Sequence, residues 1–254
     1  MLMVGLAFLS AGEESLISRG TFSVYEYVTT LLGGKSIFVD HQNGKYDWRA
    51  FLGKITTNTR IVWIANPNNP TGTYISKGEM DEFLAKVPKS STIVLDEAYA
   101  EYATANDFPK STELLKTFPN LIILRTFSKA YGLAGLRVGY ALANESAIRI
   151  LNKTRLPFNV NRVAQTAAIA VLEDIQHLEK SKKNNAEGEW VLESILQKKM
   201  LKYYPTEANF IWIELPKGHT ADNTFMEFLR RGIIIRPLTS FGMPGAIRVT
   251  IGTP

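Results

Sequence analysis

The sequence predicts an α/β protein with three layers, in which helices cover both faces of a mostly parallel sheet, followed by a smaller α+β unit. Short apolar runs alternate with helical patterns along the first part of the chain, as they do in βαβ units. The runs are rich in Ile, Val and Leu, which is typical of strands covered on both faces. The pattern changes near Pro157, so we place a boundary near residue 155 and predict domains over 1–155 and 156–254.

The elements of the first domain follow from apolar runs and from turn and cap signals. The apolar start, 1–9, is too short to span a bilayer and predicts the end of a core helix. Ser76 and Glu79 have capping-box spacing, and Asn43-Gly44 predicts a turn. Helices are predicted over 22–32, from 47 onward and over 76–87. Strands are predicted over 36–39, 61–65, 92–95, 121–124 and 138–143.

The second domain begins with a long helical pattern. Small apolar residues recur over 161–180, and helical character continues to about residue 200. Residues 209–215 alternate as a half-buried strand does, and 222–231 predict a short helix. Two apolar runs, 233–235 and 247–251, predict paired strands.

Composition and charge exclude several classes of site. The chain has 29 basic and 24 acidic residues, and its basic clusters lie near acids, so we expect a solvated face and no nucleic-acid partner. It has no cysteine, which excludes disulfides, cysteine-bound zinc and thiol catalysis. Its three histidines lack metal-ligand spacing, so no metal is predicted. With neither a basic leader nor a membrane-length apolar run, the sequence predicts a cytoplasmic protein without a membrane partner.

Lys129 carries the most informative chemistry in the chain. It follows the predicted strand 121–124, and a lysine at the mouth of a sheet can act as an uncharged amine that forms a Schiff base with a carbonyl. The hydroxyls of Thr126 and Ser128 and the guanidinium of Arg137 suit a phosphate. Pyridoxal phosphate has both an aldehyde and a phosphate. A surface lysine on a strand-to-helix turn is the alternative for this stretch alone.

Two earlier stretches favour the cofactor. Asn66-Pro-Asn-Asn-Pro70 follows one apolar run, and Asp96 ends another. A carboxylate at the end of a buried strand is costly unless it has a partner, and a protonated pyridine nitrogen would be such a partner. The alternative for the first stretch is an ordinary turn. The alternative for Asp96 is a helix cap or a structural ion pair. The order of all three stretches, each after a strand, favours a pyridoxal-phosphate site.

Six motifs run in order along the chain: Asn66-Pro-Asn-Asn-Pro-Thr-Gly72, Asp96-Glu-Ala-Tyr99, Thr126-Phe-Ser-Lys129 with Arg137, Arg155-Leu-Pro-Phe-Asn-Val-Asn161, Gly232-Ile-Ile-Ile-Arg-Pro237 and Arg248-Val-Thr-Ile-Gly-Thr253. With them the chain resembles the fold-type I pyridoxal-phosphate enzymes over nearly its whole length. The resemblance is to the class II aminotransferase branch that contains histidinol-phosphate and aromatic aminotransferases. It implies the large sheet domain of that fold and a small C-terminal domain.

The resemblance implies a role for each cofactor-binding position. Lys129 would be the Schiff-base lysine and then the base that moves the proton, and Asp96 would keep the pyridine nitrogen protonated. Asn69 and Tyr99 would bind the ring's 3-hydroxyl, and Phe22 would stack on the ring, with a plain core position as the alternative for Phe22. Three residues would hold the cofactor phosphate: Thr126, Ser128 and Arg137.

Two arginines would bind the substrate by the same resemblance. Arg248 matches the arginine that grips a substrate carboxylate, and Arg236 matches the position that contacts a substrate phosphate. The alternatives are an acid partner for Arg248 and a plain surface position for Arg236.

The function implied is a ping-pong transamination in histidine biosynthesis, in which L-histidinol phosphate and 2-oxoglutarate give imidazole acetol phosphate and L-glutamate. Three alternatives stay open: an aromatic amino acid aminotransferase, a threonine-phosphate-type decarboxylase, and a catalytically inactive fragment of such an enzyme.

Family members carry an N-terminal arm, a phosphate-binding turn with a cross-subunit tyrosine, and a closing C-terminal helix that this sequence does not contain. The resemblance therefore implies a chain truncated at both ends. It also implies a homodimer, with Asn159 and Asn161 near the neighbour's cofactor.

Overall fold

A six-stranded sheet forms the centre of the first part of the chain. The structure, a computed structural model, describes residues 1–253. Neighbouring strands of the sheet are parallel except for the last pair, which is antiparallel. The predicted mostly parallel sheet is confirmed. Its strands lie in the spatial order β2 (Lys35–Val39), β1 (Glu14–Ser18), β5 (Thr59–Ala65), β6 (Thr92–Asp96), β7 (Leu121–Thr126) and β8 (Gly139–Ala143).

Helices cover both faces of this sheet, as the sequence predicts. Because side chains alternate along a strand, Val62 and Ile64 of β5 pack into one core while Ile61 and Trp63 pack into the other. All four side chains are buried. One core is closed by α3 (Trp48–Lys54), α4 (Lys77–Lys86) and α5 (Ser111–Leu114), and the other by α1 (Leu2–Phe8), α2 (Val24–Leu31) and α6 (Glu145–Thr154).

Local signals place several of these elements. The Glu79 carboxylate accepts the Ser76 backbone N–H at 3.0 Å, which starts α4 where the capping box predicts it. Asn43 and Gly44 have φ of 50° and 76°, the left-handed pair that a two-residue hairpin requires. They join two short strands, β3 (His41–Gln42) and β4 (Lys45–Tyr46).

Several elements escape the sequence prediction, among them the strand β1 and the helix α6. The strand β1 contains the buried serines Ser15 and Ser18, so it lacks the continuous apolar run of its neighbours. It is a strand because β2 and β5 pair with it on both sides. The helix α6 is amphipathic and begins at Asn144, whose side chain accepts the Ala147 N–H at 2.8 Å.

The rest of the chain forms an α+β unit with two differences from the sequence prediction. The predicted continuous helix is broken into α7 (Arg162–Glu173) and α8 (Ile175–Lys198), because Asp174 leaves the helical conformation and caps α8 by accepting the His177 N–H. The predicted strand over 233–235 is wrong. The chain there still closes the helix α9 (Ala221–Arg230), with the Ile233 N–H bonded to the Phe228 carbonyl.

A three-stranded antiparallel sheet completes this unit, in the order β10 (Arg236–Pro237), β11 (Ala246–Thr250) and β9 (Phe210–Glu214). Its apolar side packs against α8 through Leu196, Ile211 and Ile247. Within residues 1–253 no helix combines the length and the apolarity needed to cross a membrane.

Candidate active site

The candidate site lies at the carboxyl edge of the parallel strands. The chain leaves β5 into the Asn-rich loop 66–73, leaves β6 at Asp96 and leaves β7 toward Lys129. The carboxyl ends of parallel strands meet at one edge, where α/β proteins bind their ligands. The fold therefore brings together three stretches that are far apart in sequence.

Asp96 ends β6 as a buried carboxylate, 6% exposed. The Tyr25 hydroxyl donates to its Oδ2 at 2.7 Å, and the Ala98 N–H donates to its Oδ1 at 3.2 Å. Burial raises the pKa of Asp96, while the Tyr25 hydrogen bond and nearby positive charges act in the opposite direction. No cationic side chain of residues 1–253 forms an ion pair with it, so its charge is available to a ligand that carries a proton on nitrogen.

Lys129 faces the same edge from the end of β7. Its Nζ lies 5.3 Å from the centre of the Tyr99 ring. Burial lowers the pKa of Lys129, and the charges of Arg248 and Arg137 lower it further, against a smaller effect of Asp96. A larger share of the amine is therefore neutral than in an ordinary lysine, as a nucleophile or a base requires.

The three predicted phosphate-binding residues surround the turn that carries Lys129. The Ser128 N–H donates to the Thr126 hydroxyl at 3.1 Å, which shapes the turn. Arg137 has φ of 55°, and its Nη1 donates to the Ala134 carbonyl at 2.7 Å. This bond folds the exposed guanidinium back toward the turn, close enough for its charge to affect Lys129.

Arg248 connects the C-terminal sheet to the site. Its Nη1 donates to the Asn69 Oδ1 at 2.5 Å, and its guanidinium carbon lies 4.7 Å from the centre of the Phe210 ring. Phe210 in turn meets Tyr99 edge to face, with ring centres 5.1 Å apart. The predicted substrate arginine and the two residues predicted to bind the 3-hydroxyl, Asn69 and Tyr99, therefore form one cluster.

Arg236 stands directly opposite Arg248 in the β10–β11 pair. Cross-strand partners share a face of the sheet, and like charges placed this way are unfavourable. Burial lowers the pKa of Arg248, and the Arg236 charge lowers it as well. The Arg248 Nε is buried and has no partner among residues 1–253. An anion between the two guanidinium groups would relieve both costs.

Phe22 lies next to the Asp96 end of the site. It is half-buried and meets Tyr25 edge to face, with ring centres 5.8 Å apart. Tyr25 itself is fully buried and stacks on Trp63 at 5.0 Å. The stacking role of Phe22 on a cofactor ring stays a prediction, and its place beside the partner of Asp96 is compatible with it.

Two features of the site were not predicted. Tyr25 resembles an ordinary core residue of an amphipathic helix, and nothing in its sequence neighbourhood indicates the bond to Asp96. Glu97, fully buried, pairs with Arg125 at 2.8 Å. Because Glu97 follows Asp96 and Arg125 precedes Thr126, this ion pair joins the two strand ends that carry the site.

The donor set of this edge fits pyridoxal phosphate. A partly neutral lysine suits an aldehyde, and a buried carboxylate without a cationic partner suits a ring N–H. Asn69 and Tyr99 offer polar groups between these two positions, and the turn 126–129 with Arg137 offers hydroxyl and guanidinium groups for a phosphate. In residues 1–253 no three His, Cys, Asp or Glu side chains gather as metal ligands.

Known proteins resemble the chain along its whole length. The family model described as "Aminotransferase class I and II" matches residues 2–254. "Histidinol-phosphate aminotransferase 2" of Pseudomonas fluorescens is 45% identical over 252 residues, covering 99% of this chain and 68% of that protein. "Histidinol-phosphate aminotransferase" of Moorella thermoacetica is also 45% identical, covering 99% of this chain and 65% of that protein. The chain thus spans about two thirds of the length of these relatives.

Solved structures give the same result for the fold. The histidinol-phosphate aminotransferase of Sinorhizobium meliloti, solved with pyridoxal 5′-phosphate, superposes with a TM-score of 0.90 at 29% identity, over 98% of this chain and 68% of that one. A putative histidinol-phosphate aminotransferase of Erwinia carotovora atroseptica also gives 0.90, at 26% identity, over 100% of this chain and 74% of that one. The chain has the fold-type I transferase fold and belongs to the class I and II aminotransferases, a pyridoxal-phosphate-dependent family.

Proposed function

We propose that this protein transfers the amino group of L-histidinol phosphate to 2-oxoglutarate, giving imidazole acetol phosphate and L-glutamate, as a step of histidine biosynthesis. The single observation that supports this substrate best is the cross-strand pair Arg236–Arg248, in which two arginines share one face of the sheet and Arg248 contacts Asn69. The names of the relatives at 41–45% identity support the same substrate.

When bound, pyridoxal phosphate supplies a carbonyl carbon that takes up the amino group and a protonated ring that accepts the electrons of the Cα–H bond. The residues of the chain supply the rest. Asp96 keeps the proton on the ring nitrogen, because its buried negative charge is paired best by that proton. Asn69 and Tyr99 orient the ring through its 3-hydroxyl.

Lys129 moves the proton. With the cofactor bound, the Lys129 amine would take the proton from the substrate Cα and hold it for return to the cofactor side of the new C–N bond. The lowered pKa of Lys129 favours this role, since the amine must be neutral to accept a proton.

Arg236 and Arg248 hold the anionic ends of the substrates. The donor carries a phosphate and no carboxylate, whereas the acceptor carries two carboxylates, so one face must accept both kinds of anion. A guanidinium fork matches phosphate and carboxylate oxygens alike. Arg248 would grip the carboxylate of the acceptor, and Arg236 would contact the phosphate of the donor.

The direct test is product analysis with purified protein loaded with pyridoxal phosphate. L-Histidinol phosphate with 2-oxoglutarate should yield L-glutamate without loss of carbon dioxide. Higher catalytic efficiency with phenylalanine would replace this proposal by the aromatic aminotransferase. Release of carbon dioxide from a phosphorylated amino acid would replace it by the decarboxylase, and absence of any turnover with all donors would support an inactive chain.

The proposal includes a cytoplasmic location, which cell fractionation would check. It also includes a homodimer. Large apolar side chains stand exposed around the start of α7, and Phe158 is 98% exposed. Several large apolar side chains exposed on one segment are typical of a subunit interface. Asn159 and Asn161 lie on the same stretch, and Asn161 caps α7 by accepting the Ala164 N–H at 2.8 Å.

A further inference from the structure

Besides Arg248, the segment 206–209, just before β9, also contacts the loops of the candidate site. The Glu207 Oε2 accepts the backbone N–H groups of Thr104 and Ala105, at 2.5 and 3.1 Å. Both bonds are charge-assisted, because the acceptor is a carboxylate. No lysine, arginine or histidine of residues 1–253 forms an ion pair with Glu207, so its charge is balanced by backbone amides.

The backbone of Glu207 makes a second contact, on the opposite side. Its N–H donates to the Gly72 carbonyl at 2.8 Å. Gly72 has φ of 73°, and a Cβ built there would lie 2.1 Å from the Thr206 Oγ1 and 3.3 Å from the Thr206 Cα. Only a glycine permits this approach of the two backbones.

These contacts join the two loops that carry Asn69 and Tyr99. Gly72 belongs to the Asn-rich loop, three residues after Asn69, and Thr104 follows Tyr99 after a single 3₁₀ turn, Ala100–Tyr102. Asn69 and Tyr99 are expected to hold the same oxygen of the cofactor. Their separation is therefore set in part by one residue, Glu207, whose side chain binds the loop of Tyr99 and whose backbone N–H binds the loop of Asn69.

The same segment sets the position of Arg248. The strand β9 begins at Phe210, directly after the segment, and the Phe210 ring supports the Arg248 guanidinium at 4.7 Å. The strand β11, which carries Arg248, pairs with β9, and the Ile251 N–H donates to the Asn209 carbonyl at 2.9 Å. A shift of the segment would move Arg248 relative to Asn69.

We infer that Glu207 is a positioning residue for the transamination: it holds the Asn69 and Tyr99 loops together and fixes Arg248 against them. This inference rests on the proposed function. It concerns a residue that touches neither substrate nor cofactor.

The test compares Glu207→Ala and Glu207→Gln with Glu214→Ala. Glu214 is the last residue of β9 and forms an exposed ion pair with Lys202, so its removal controls for loss of a glutamate near the site segment. In the protein without cofactor, Glu207→Ala should speed amide hydrogen exchange at Thr104 and Ala105 about tenfold. In the loaded protein it should shift the pH midpoint of the visible absorption band and raise KM for 2-oxoglutarate about tenfold, with a smaller change in kcat.

Glu207→Gln keeps one acceptor oxygen and should recover part of each effect, while Glu214→Ala should match the wild type. Faster exchange in Glu207→Ala with an unchanged band and unchanged KM would overturn the inference, since the contact would then be structural only. The proposed function would survive that result. A wild type that uses phenylalanine instead of histidinol phosphate would overturn the proposed substrate. The changes in band midpoint and KM in Glu207→Ala would still support the positioning role. A wild type without a visible band would overturn both.

Discussion

At the scale of single residues, the chemistry depends on how burial and neighbouring charges change the charge and hydrogen bonding of three side chains. Lys129 becomes less basic beside Arg248 and Arg137, and Asp96 is a buried acid held by Tyr25. Arg248 keeps one buried N–H without a partner in residues 1–253. Each of these three features costs free energy in the protein without a ligand, and a bound ligand of the right charge lowers that cost.

Lys129 should carry the covalent link to the cofactor. Borohydride treatment of the loaded protein should bleach the visible band and leave a pyridoxyl group on Lys129, which peptide mass spectrometry would locate. Lys129→Ala should lose both the label and the turnover, because no other amine occupies this position. A label on a different lysine would contradict the assignment.

Asp96 and its partner Tyr25 should control the charge at the ring nitrogen. Asp96→Asn removes a charge-assisted bond, so cofactor binding should weaken by about 1.5–3 kcal/mol, with a larger loss in the chemical step. Tyr25→Phe should raise the pKa of Asp96, because the lost hydrogen bond favours the charged form. Carbon-13 NMR titration of the Asp96 carboxyl would measure the shift in protein without cofactor. Near-normal turnover in Asp96→Asn would leave Asp96 as a helix cap.

Replacements of Arg236 and Arg248 should affect the substrates differently. Arg236→Ala should reduce the catalytic efficiency with histidinol phosphate far more than with phenylalanine, because only the first donor carries a phosphate. Arg248→Lys should reduce both half-reactions, since Arg248 and Arg236 share the face that must bind both anions and a lysine cannot form the bidentate contact. Steady-state kinetics of both variants on both donors would decide. Equal losses on the two donors in Arg236→Ala would remove its phosphate role.

At the scale of elements, the helix α8 carries an acid whose charge works against the fold. Burial gives Glu189 a folded pKa of about 7 against an ordinary value of 4.5, so the folded state binds its proton more tightly than the unfolded state does. Stability should therefore fall as the pH rises between these two values, and the full penalty should remain above about pH 7.

Glu189→Gln should remove this penalty. The variant should match the wild type near pH 4.5 and be more stable above pH 7, by about 1–3 kcal/mol. Denaturant unfolding at both pH values measures the difference. Glu187→Gln, two residues away and exposed in an ion pair with Lys183, is the matched control and should show no such gain. An equal gain at both pH values would exclude the titration of Glu189 as its cause.

At the scale of the whole molecule, the apolar surface around α7 should form a subunit interface. Analytical ultracentrifugation at micromolar concentration should give a two-fold dimer, and Ile169→Glu should shift it toward monomer, because Ile169 is 65% exposed on that surface. Ile195→Glu, on the exposed part of α8 and away from α7, controls for replacing an exposed isoleucine by a charge. A monomeric wild type would contradict the dimer. The division of the chain near residue 155 also stays a prediction.

Local sequence signals account for most of the elements and for the order of the site motifs. Apolar runs predict four of the five parallel strands of the sheet, and a motif at the end of a parallel strand must lie at the carboxyl edge. That is why Lys129, Asp96 and Asn69 could be predicted together. The strand β1 escaped, because its buried serines conceal a strand that is defined by its two neighbours.

The sequence by itself thus determined the fold class and the cofactor, and it predicted the edge of the sheet at which the site motifs meet, because these follow from periodicity and from motifs within a few residues. Only the tertiary structure decided which side chains meet across that edge. The Tyr25–Asp96 bond joins residues 71 positions apart, the Glu207–Thr104 bond joins residues 103 apart, and the Arg248–Asn69 bond joins residues 179 apart. Such contacts depend on strand register and on how the two sheets are placed, which no local pattern contains.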